Sequence, residues 1–464
     1  MKILYIGGGY VGACSAAVSA DSGHEVLVYD VNSELVKNFS SGDKDKIEAC
    51  LFEKGLGDLI IRNQARLKFT DSLAAAETFV SEAGAVFMCL PTPERDGTGE
   101  TNLEIYEAAA KTLAQVLAKR NNGAQNQYVL LVNKSTVPID MVNRTKEIML
   151  AGGVKNFGVG SNPEFLVEGK AIEGSIRPPR VVVGAESEKD FAIFRDIYSR
   201  FAESSGIGYF EVSPAEAEAS KLLANYMLFS RLANCFDVAG RVCEKFPGLR
   251  FENVRKILIA DSRIGDWGFY DSLFAGGSCF IKDARSLAHQ LKAKGAAADL
   301  VDNILAANQR QLDNFLGRAE AELNFNWAGK TAALLGLAFK QDTNDIRNSA
   351  SLQAAEFLLG KGVAQIRAYD PAAGANFLKY FSKSEDSGKI SLAGSESLAL
   401  AGADALIIAT DWPQFRGLTG LIMEELPKGA LIMDGRRMLA QSYGELANAG
   451  YDIIAVGSPV IRKG

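Results

Sequence analysis

At 464 residues the chain is too long for one ordinary hydrophobic core, and its size points to two or three domains. Hydrophobic residues make up 47% and charged ones 23%, the balance of a globular protein with a sizeable interior. A formal charge of −6 argues against nucleic acid as a main partner, because phosphate backbones are met by basic faces, while a local basic pocket for a small phosphorylated ligand stays open.

In chain order, apolar strand-like runs at 3–6, 26–29, 85–90, 128–132, 157–159 and 181–183 alternate with helical patterns such as 11–22 and 103–119. This alternation predicts a parallel sheet with helices on both faces, ending near 212. Gly7-x-Gly9-x-x-Gly12 follows the first strand and opens a helix, and the second strand closes on Tyr29-Asp30. Glycines there allow a tight turn and close backbone approach to a pyrophosphate at a helix N-terminus. An acid at Asp30 accepts from ribose hydroxyls and repels a 2′-phosphate, so the expected cofactor is NAD rather than NADP. A tight strand–helix turn with no ligand is the plainer alternative.

Residues 214–245 keep helical periodicity without an internal proline, which predicts a helix of about 45 Å serving as a spine and possible subunit interface. A second helical stretch runs to about 320, and strands are then predicted at 331–337, 365–369, 405–409, 430–434 and 452–456, with 382–389 as a loop. The fold class is α/β: two doubly wound, Rossmann-like domains joined by a long central helix and a helical connector. The expected division is 1–212 for NAD, 213–320 for the helical connector and dimer interface, and 321–464 for the nucleotide sugar. The second sheet has Gly336-Leu337-Ala338-Phe339-Lys340 in place of the glycine fingerprint, though Tyr369-Asp370 closes its next strand. Lys340 and Arg347 stand where a second phosphorylated ligand would be met at a switch point, although each alone is more often a solvated charge.

The six cysteines show no CxxC spacing and no neighbouring histidine, which argues against a metal and against a disulfide framework. No apolar run of about 18 residues suits a membrane span. Met1 leads directly into a strand, leaving no room for a cleavable signal, so a cytoplasmic protein with reduced thiols is expected. His24 and His289 are read as surface residues without a role, so the chemistry is not expected to rest on a histidine base.

Gly276-Gly277-Ser278-Cys279-Phe280-Ile281-Lys282-Asp283 precedes a helix predicted over 284–294. A helix N-terminus and Lys282 both favour the thiolate of Cys279, and Asp283 falls one turn on; by spacing alone, a small buried cysteine is an equal reading. GSCF-x-KD together with GGGYVG resembles the UDP-glucose/GDP-mannose dehydrogenase family. So do Pro91-Thr92-Pro93 with Asp96-Gly97, Ser135-Thr136-Val137-Pro138, Asn162 to Leu166 with Glu168-Gly169, Lys221 with Asn225, Arg263-Ile264-Gly265, Phe339-Lys340 with Thr343 and Arg347, and Asp370-Pro371, all in the family's order.

The resemblance implies a four-electron oxidation of a nucleotide sugar's primary alcohol to the acid, using NAD twice, through a thiohemiacetal and a thioester on Cys279. It implies that Lys221 and Asn225 stabilise the oxyanion, that Asp283 and Thr136 position a water, and that Glu164 is the base for thioester hydrolysis. The implied cofactor contacts are Gly7, Gly9, Tyr10, Val11, Gly12, Asp30, Pro91, Thr92, Thr136, Glu168 and Arg347. The implied substrate contacts are Glu164, Phe165, Leu166, Glu168, Lys221, Asn225, Phe274, Gly276, Phe339 and Lys340, with Arg263 reaching in from a second subunit of a dimer or higher oligomer. No metal is implied. Without the family, Glu164 and Glu168 read as a helix-face pair and Lys221 as a solvated charge.

Ala275, Ile281 and Lys54 depart from the family pattern, and Ala275 is expected to place a methyl beside the sugar. UDP-glucose, giving UDP-glucuronate, is the first expected substrate because Lys221-Leu-Leu-Ala-Asn225 looks like that branch; a UDP-N-acetylhexosamine or GDP-mannose stays open. Two other classes remain: a single-step NAD dehydrogenase, and a nucleotide-binding protein without catalysis.

Overall fold

Strands whose residues are apolar on both faces belong inside a sheet covered on both sides, and the sequence supplies such runs twice. The computed structural model describes residues 1–95, 97–121, 127–202, 204 and 206–464, and it divides into two compact units, Met1–Ala224 and Asn225–Gly464.

The first unit holds β1 (Lys2–Ile6), β2 (Glu25–Tyr29), β3 (Leu67–Thr70), β4 (Ala85–Met88), β5 (Val129–Asn133), β6 (Phe157–Ser161), β7 (Arg180–Gly184) and β8 (Gly208–Val212), in the order β3-β2-β1-β4-β5-β6-β7-β8. The second holds β9 (Thr331–Leu335), β10 (Gln365–Tyr369), β11 (Ile390–Leu392), β12 (Ala405–Ile408), β13 (Leu431–Asp434) and β14 (Asp452–Ala455), in the order β11-β10-β9-β12-β13-β14. Six strands of the first sheet and all of the second thus share the doubly wound order, which reverses beside β1 and beside β9. Crevices for ligands open at the carboxyl ends of strands at such reversals.

Several expectations are corrected. The first sheet is not wholly parallel: β7 meets β6 antiparallel at Ser161↔Gly184, and β8 runs parallel to β7. Because β7 enters from beyond the carboxyl end of β6, the segment 162–179 stays at the same end of the sheet as the glycine loop. The edge strands β3, β8 and β11 were not expected, and 382–389 contains a short 3-10 turn at Ser387–Lys389.

In the first unit α1 spans Tyr10–Asp21, and the expected long helix is present. It runs as α2 (Pro214–Ala233), widens into a π-helical segment at Asn234–Gly240 and ends as Arg241–Lys245. There the Arg241 side chain donates to both the Asp237 carbonyl, at 3.2 Å, and its carboxylate, at 2.6 Å, which satisfies backbone loosened by the wider turn. The helix after the cysteine, α3 (Phe280–Ala293), starts four residues earlier than the expected 284, and α4 (Asp299–Leu323) completes the connector. His24 is not a surface residue: it is buried, its ring nitrogens lie 3.2 Å from the Met1 amine and 3.3 Å from the Ile197 carbonyl, and burial with the nearby ammonium lowers its pKa. Among the described residues no helix is long and apolar enough to cross a membrane.

Candidate functional site

In the first unit, β1 delivers the chain into a left-handed turn at Gly7, φ +102°, where a Cβ would lie 2.3 Å from the Cys89 carbonyl oxygen. A Cβ on Gly12 would lie 1.9 Å from the Gly7 oxygen, so this glycine lets α1 close onto the loop, while at Gly9 a Cβ would meet no described atom within 4 Å apart from its own chain neighbours. α1 has no side-chain cap at its N-terminus, leaving first-turn N–H groups for an anion. Asp30 accepts from Gly8 N at 2.6 Å and Asn32 N at 2.8 Å, one per oxygen, and each oxygen keeps a lone pair for a ribose hydroxyl. These features fit an NAD pyrophosphate and ribose. Gly12→Ala is expected to abolish cofactor binding, measured as loss of NADH fluorescence enhancement, while far-UV circular dichroism stays near wild type.

The same carboxyl edge carries Pro91, exposed, and Thr92, whose hydroxyl donates to the Thr136 carbonyl at 2.7 Å. Tyr10 opens α1 beside Val11 and donates to the Val167 carbonyl at 2.8 Å, tying the glycine loop to the segment that bears Glu164 and Glu168. Residues 162–167 are irregular and Glu168 lies in a turn, so the two acids are not a helix-face pair. Nor is Lys221 solvated: its side chain is 6% exposed, its Nζ is 3.0 Å from Glu164 Oε1, whose side chain is 11% exposed, and it lies 5.5 Å from the Phe165 ring centre. Leu166 N donates to Glu164 Oε2 at 2.6 Å. Burial pushes the Glu164 carboxyl up, but Lys221 and the Leu166 N–H outweigh it and hold the group below its ordinary range, so it is a carboxylate at neutral pH.

In the second unit Cys279 is exposed and caps α3, with its carbonyl accepting from Asp283 N at 2.8 Å. Its Sγ stands 3.6 Å from Ser278 Oγ. Of the other cysteines, Cys14, Cys235 and Cys243 are buried; burial pushes Cys89 and Cys235 up to about 12 and Cys14 well above its ordinary value. Lys282 does not stand beside the thiol as a lone charge: it donates to Asp283 Oδ1 at 2.6 Å, while Asn225 Nδ2 donates to Asp283 Oδ2 at 2.6 Å. Asp283, 1% exposed, is thereby held in place within a turn of the cysteine.

Gly276 and Gly277 admit the neighbouring loop of the second sheet. A Cβ on Gly277 would meet the Phe339 ring at 2.9 Å, and one on Gly276 would meet the Asn348 carbonyl at 2.4 Å. Gly277 N donates to the Arg347 carbonyl at 3.1 Å, so the cysteine loop and the Phe339–Arg347 loop are built together. Lys340 Nζ lies 5.8 Å from the Phe339 ring centre, and the Arg347 guanidinium forks onto Asp345 at 2.6 and 2.9 Å. Phe274 is buried, and Ala275 is not at an open surface: it lies in the core with Ile281, its N–H and carbonyl both held by Asn308 at 2.8 and 3.1 Å. Among the described residues Arg263 pairs only with Asp261, and its side chain is 87% exposed. Asp370 accepts from Leu337 N, Ala338 N, Ala372 N, Ala373 N and Trp412 Nε1, so it anchors backbone where Asp30 keeps room for a ligand.

Three groups were passed over in the sequence. Arg436, in Asp434-Gly-Arg-Arg437 after β13, donates to Ser272 Oγ at 2.6 Å and pairs with Asp411 at 2.8 Å, and among the described residues its buried Nε has no hydrogen-bond partner. Lys134, just before Thr136, is buried and donates to Asn162 Oδ1 at 2.7 Å. Glu218, one turn before Lys221, accepts from Met141 N and Val142 N at 3.2 and 3.1 Å, and burial pushes its pKa up to about 7. A charged residue at an inward helical register was the available signal for Glu218. Asp96 lies outside the described residues.

Two doubly wound sheets, a dinucleotide loop on the first and an exposed cysteine against the loop of the second define an NAD-dependent dehydrogenase with a second nucleotide domain. The chain belongs to the UDP-glucose/GDP-mannose dehydrogenase family: its NAD binding domain matches residues 1–202, its central domain 215–310 and its UDP binding domain 333–441. Among its relatives, the UDP-glucose 6-dehydrogenase of Pseudomonas aeruginosa is 34% identical, covering 99% of this chain and 98% of that protein. UDP-glucose 6-dehydrogenase TuaD of Bacillus subtilis is 30% identical, over 99% and 94%. The structure of a UDP-glucose dehydrogenase from Pyrobaculum islandicum superposes with a TM-score of 0.82 at 30% identity, covering 94% of each chain.

Proposed function

We propose that the protein oxidises UDP-glucose to UDP-glucuronate in two hydride-removing steps, with Cys279 as the covalent carrier between them. The observation that carries this reading is the exposed thiol at the start of α3, one turn from a buried carboxylate held by Lys282 and Asn225. NAD, held at the glycine loop and Asp30, supplies the hydride-accepting chemistry, once for each step.

In the first step the C6 hydroxyl gives its proton to a water placed by Asp283 and Thr136, and its carbon loses hydride to become an aldehyde. The Cys279 thiol then gives its proton to solvent as its sulfur bonds to that carbon, giving a thiohemiacetal whose oxyanion is stabilised by the Lys221 ammonium with Asn225 assisting. Loss of the second hydride leaves a thioester. Water, relieved of its proton by Glu164 with Glu168 ordering it, breaks the carbon–sulfur bond and releases the carboxylate. Phe165, Leu166, Phe274, Gly276, Phe339, Lys340 and Arg347 complete the binding of sugar, cofactor and diphosphate, and the work divides among 1–212, 213–320 and 321–464.

A homodimer or higher assembly is part of this reading. Among the described residues Arg263 pairs only with Asp261 of its own chain, and Met227, Val238, Val242 and Phe246 leave an apolar stripe exposed along the long helix and its extension. Free cysteines and nucleotide ligands suit the cytoplasm, and a uronate product suits polysaccharide synthesis.

The test is NADH formed per sugar across UDP-glucose, UDP-N-acetylhexosamines and GDP-mannose. Two NADH per UDP-glucose, with the other sugars turned over far more slowly, is expected. One NADH per sugar would mean a single-step dehydrogenase, none a binding protein, and a faster rival sugar would reassign the substrate.

A further inference from the structure

The first unit carries a cleft that shares Glu164, Phe165 and Leu166 with the site above but whose two cations, Lys134 and Arg180, this chemistry does not use. It encloses about 600 Å3, counting the part open to solvent, and lies between Ser15 and Ser19 of α1, the Glu164–Leu166 segment, Arg180 at the start of β7, and Tyr198. Among the described residues, neither the glycine loop nor Thr92 or Thr136 lines it, so it is separate from the dinucleotide crevice.

Two cations line this cleft, and among the described residues neither makes an ion pair with a carboxylate. Lys134 is 7% exposed and spends one of its three N–H donors on Asn162 Oδ1, at 2.7 Å. Arg180 is stacked flat on Phe165, its Cζ 3.7 Å from the ring centre, which leaves the in-plane N–H edge of the guanidinium uncommitted among the described residues. The one carboxylate in the lining, Glu164, already meets Lys221 Nζ at 3.0 Å and Leu166 N at 2.6 Å. Burial pushes the Lys134 ammonium down to about 8, which the nearby Glu164 carboxylate only partly offsets, and an anion bound among its spare donors would favour the charged form.

We propose that this cleft is a second ligand site that takes a small oxyanion, a carboxylate or a phosphate, between the Arg180 fork and the Lys134 ammonium. Arg180 supplies a bidentate edge and Lys134 a point charge, the pairing that planar oxyanions favour. Occupancy bears on the catalytic loop, because Asn162 Oδ1 accepts from both Lys134 and Tyr198 OH, at 2.7 and 2.5 Å, two residues before Glu164.

The experiment is calorimetric titration of the full chain with inorganic phosphate and, separately, with acetate. NAD and UDP are kept saturating so that the nucleotide sites are filled, and chloride matches the ionic strength. Saturable binding of at least one anion at one per chain is expected, and which anion binds assigns the class. Arg180→Met is expected to weaken it about tenfold or more, the loss of a charge-assisted contact. Ser15→Leu, which narrows the cleft without touching Arg180, is expected to weaken it as well and stands in should the arginine variant fold poorly. No saturable heat with either anion, or unchanged affinity in a folded variant, would overturn the proposal.

Discussion

Cys279→Ser is expected to lower steady-state NADH formation with UDP-glucose by roughly a thousandfold or more, the scale seen when a covalent nucleophile is removed. The serine hydroxyl keeps the size of the side chain at an exposed position, so the melting temperature should stay within a few degrees. The loss should fall on turnover rather than on binding, because Gly276, Gly277 and the Phe339 loop keep their packing. Stopped-flow traces of the variant should show at most a first, small release of NADH followed by a halt. A variant turning over within tenfold of wild type would remove the cysteine from the mechanism.

Lys221→Ala is the second large effect, and it acts on stability and on rate. Its ammonium lies 3.0 Å from Glu164, with side chains only 6% and 11% exposed, so removing it strands a buried carboxylate. Breaking such a pair from one side costs about 3–5 kcal/mol. In the wild type the folded pKa of Glu164 is depressed, so the pair's stabilisation is present above the unfolded carboxylate pKa and is lost as pH falls through the folded value. The stability gap between wild type and variant should therefore be widest near neutral pH and close on acidification, read by urea melts across pH. Turnover should fall by about 10²–10³, the weight of one oxyanion donor. A gap that is flat with pH would show that Glu164 does not depend on Lys221.

Much of this was legible in the sequence, and the reasons for the rest are local. Strands buried on both faces announce themselves as apolar runs, and β1, β2, β4, β9 and β10 were read nearly to the residue. The missed strands are edges: β3 reads Leu-Lys-Phe-Thr, β8 Gly-Tyr-Phe-Glu-Val, and β11 is three residues long, so most of their positions are exposed or only partly buried and the apolar signal thins. The reversal of β7 carries no sequence signature, yet it keeps Glu164 at the edge of the sheet that holds the glycine loop. Spacing identified the Gly7–Gly12 turn because glycine there is a steric necessity.

Side-chain partners were the least legible. Lys221 looks solvated on a helix and is buried because an irregular loop, not a helix, brings Glu164 to it. Lys282 looked like an activator of the thiol and is instead bonded to Asp283. Ala275 looked like an intrusion at the sugar and is core, clasped by an asparagine more than thirty residues away.

The covalent role of Cys279 can be read most directly by mass. Glu164→Gln removes the proposed base for thioester hydrolysis while keeping the side-chain size, so an acid quench during turnover of UDP-glucose should trap the linked species. The peptide containing Cys279 should then be heavier by the UDP-glucuronyl group, in an amount matching the sugar oxidised and the NADH released. An unmodified Cys279 peptide, found while two NADH form per sugar, would contradict the account.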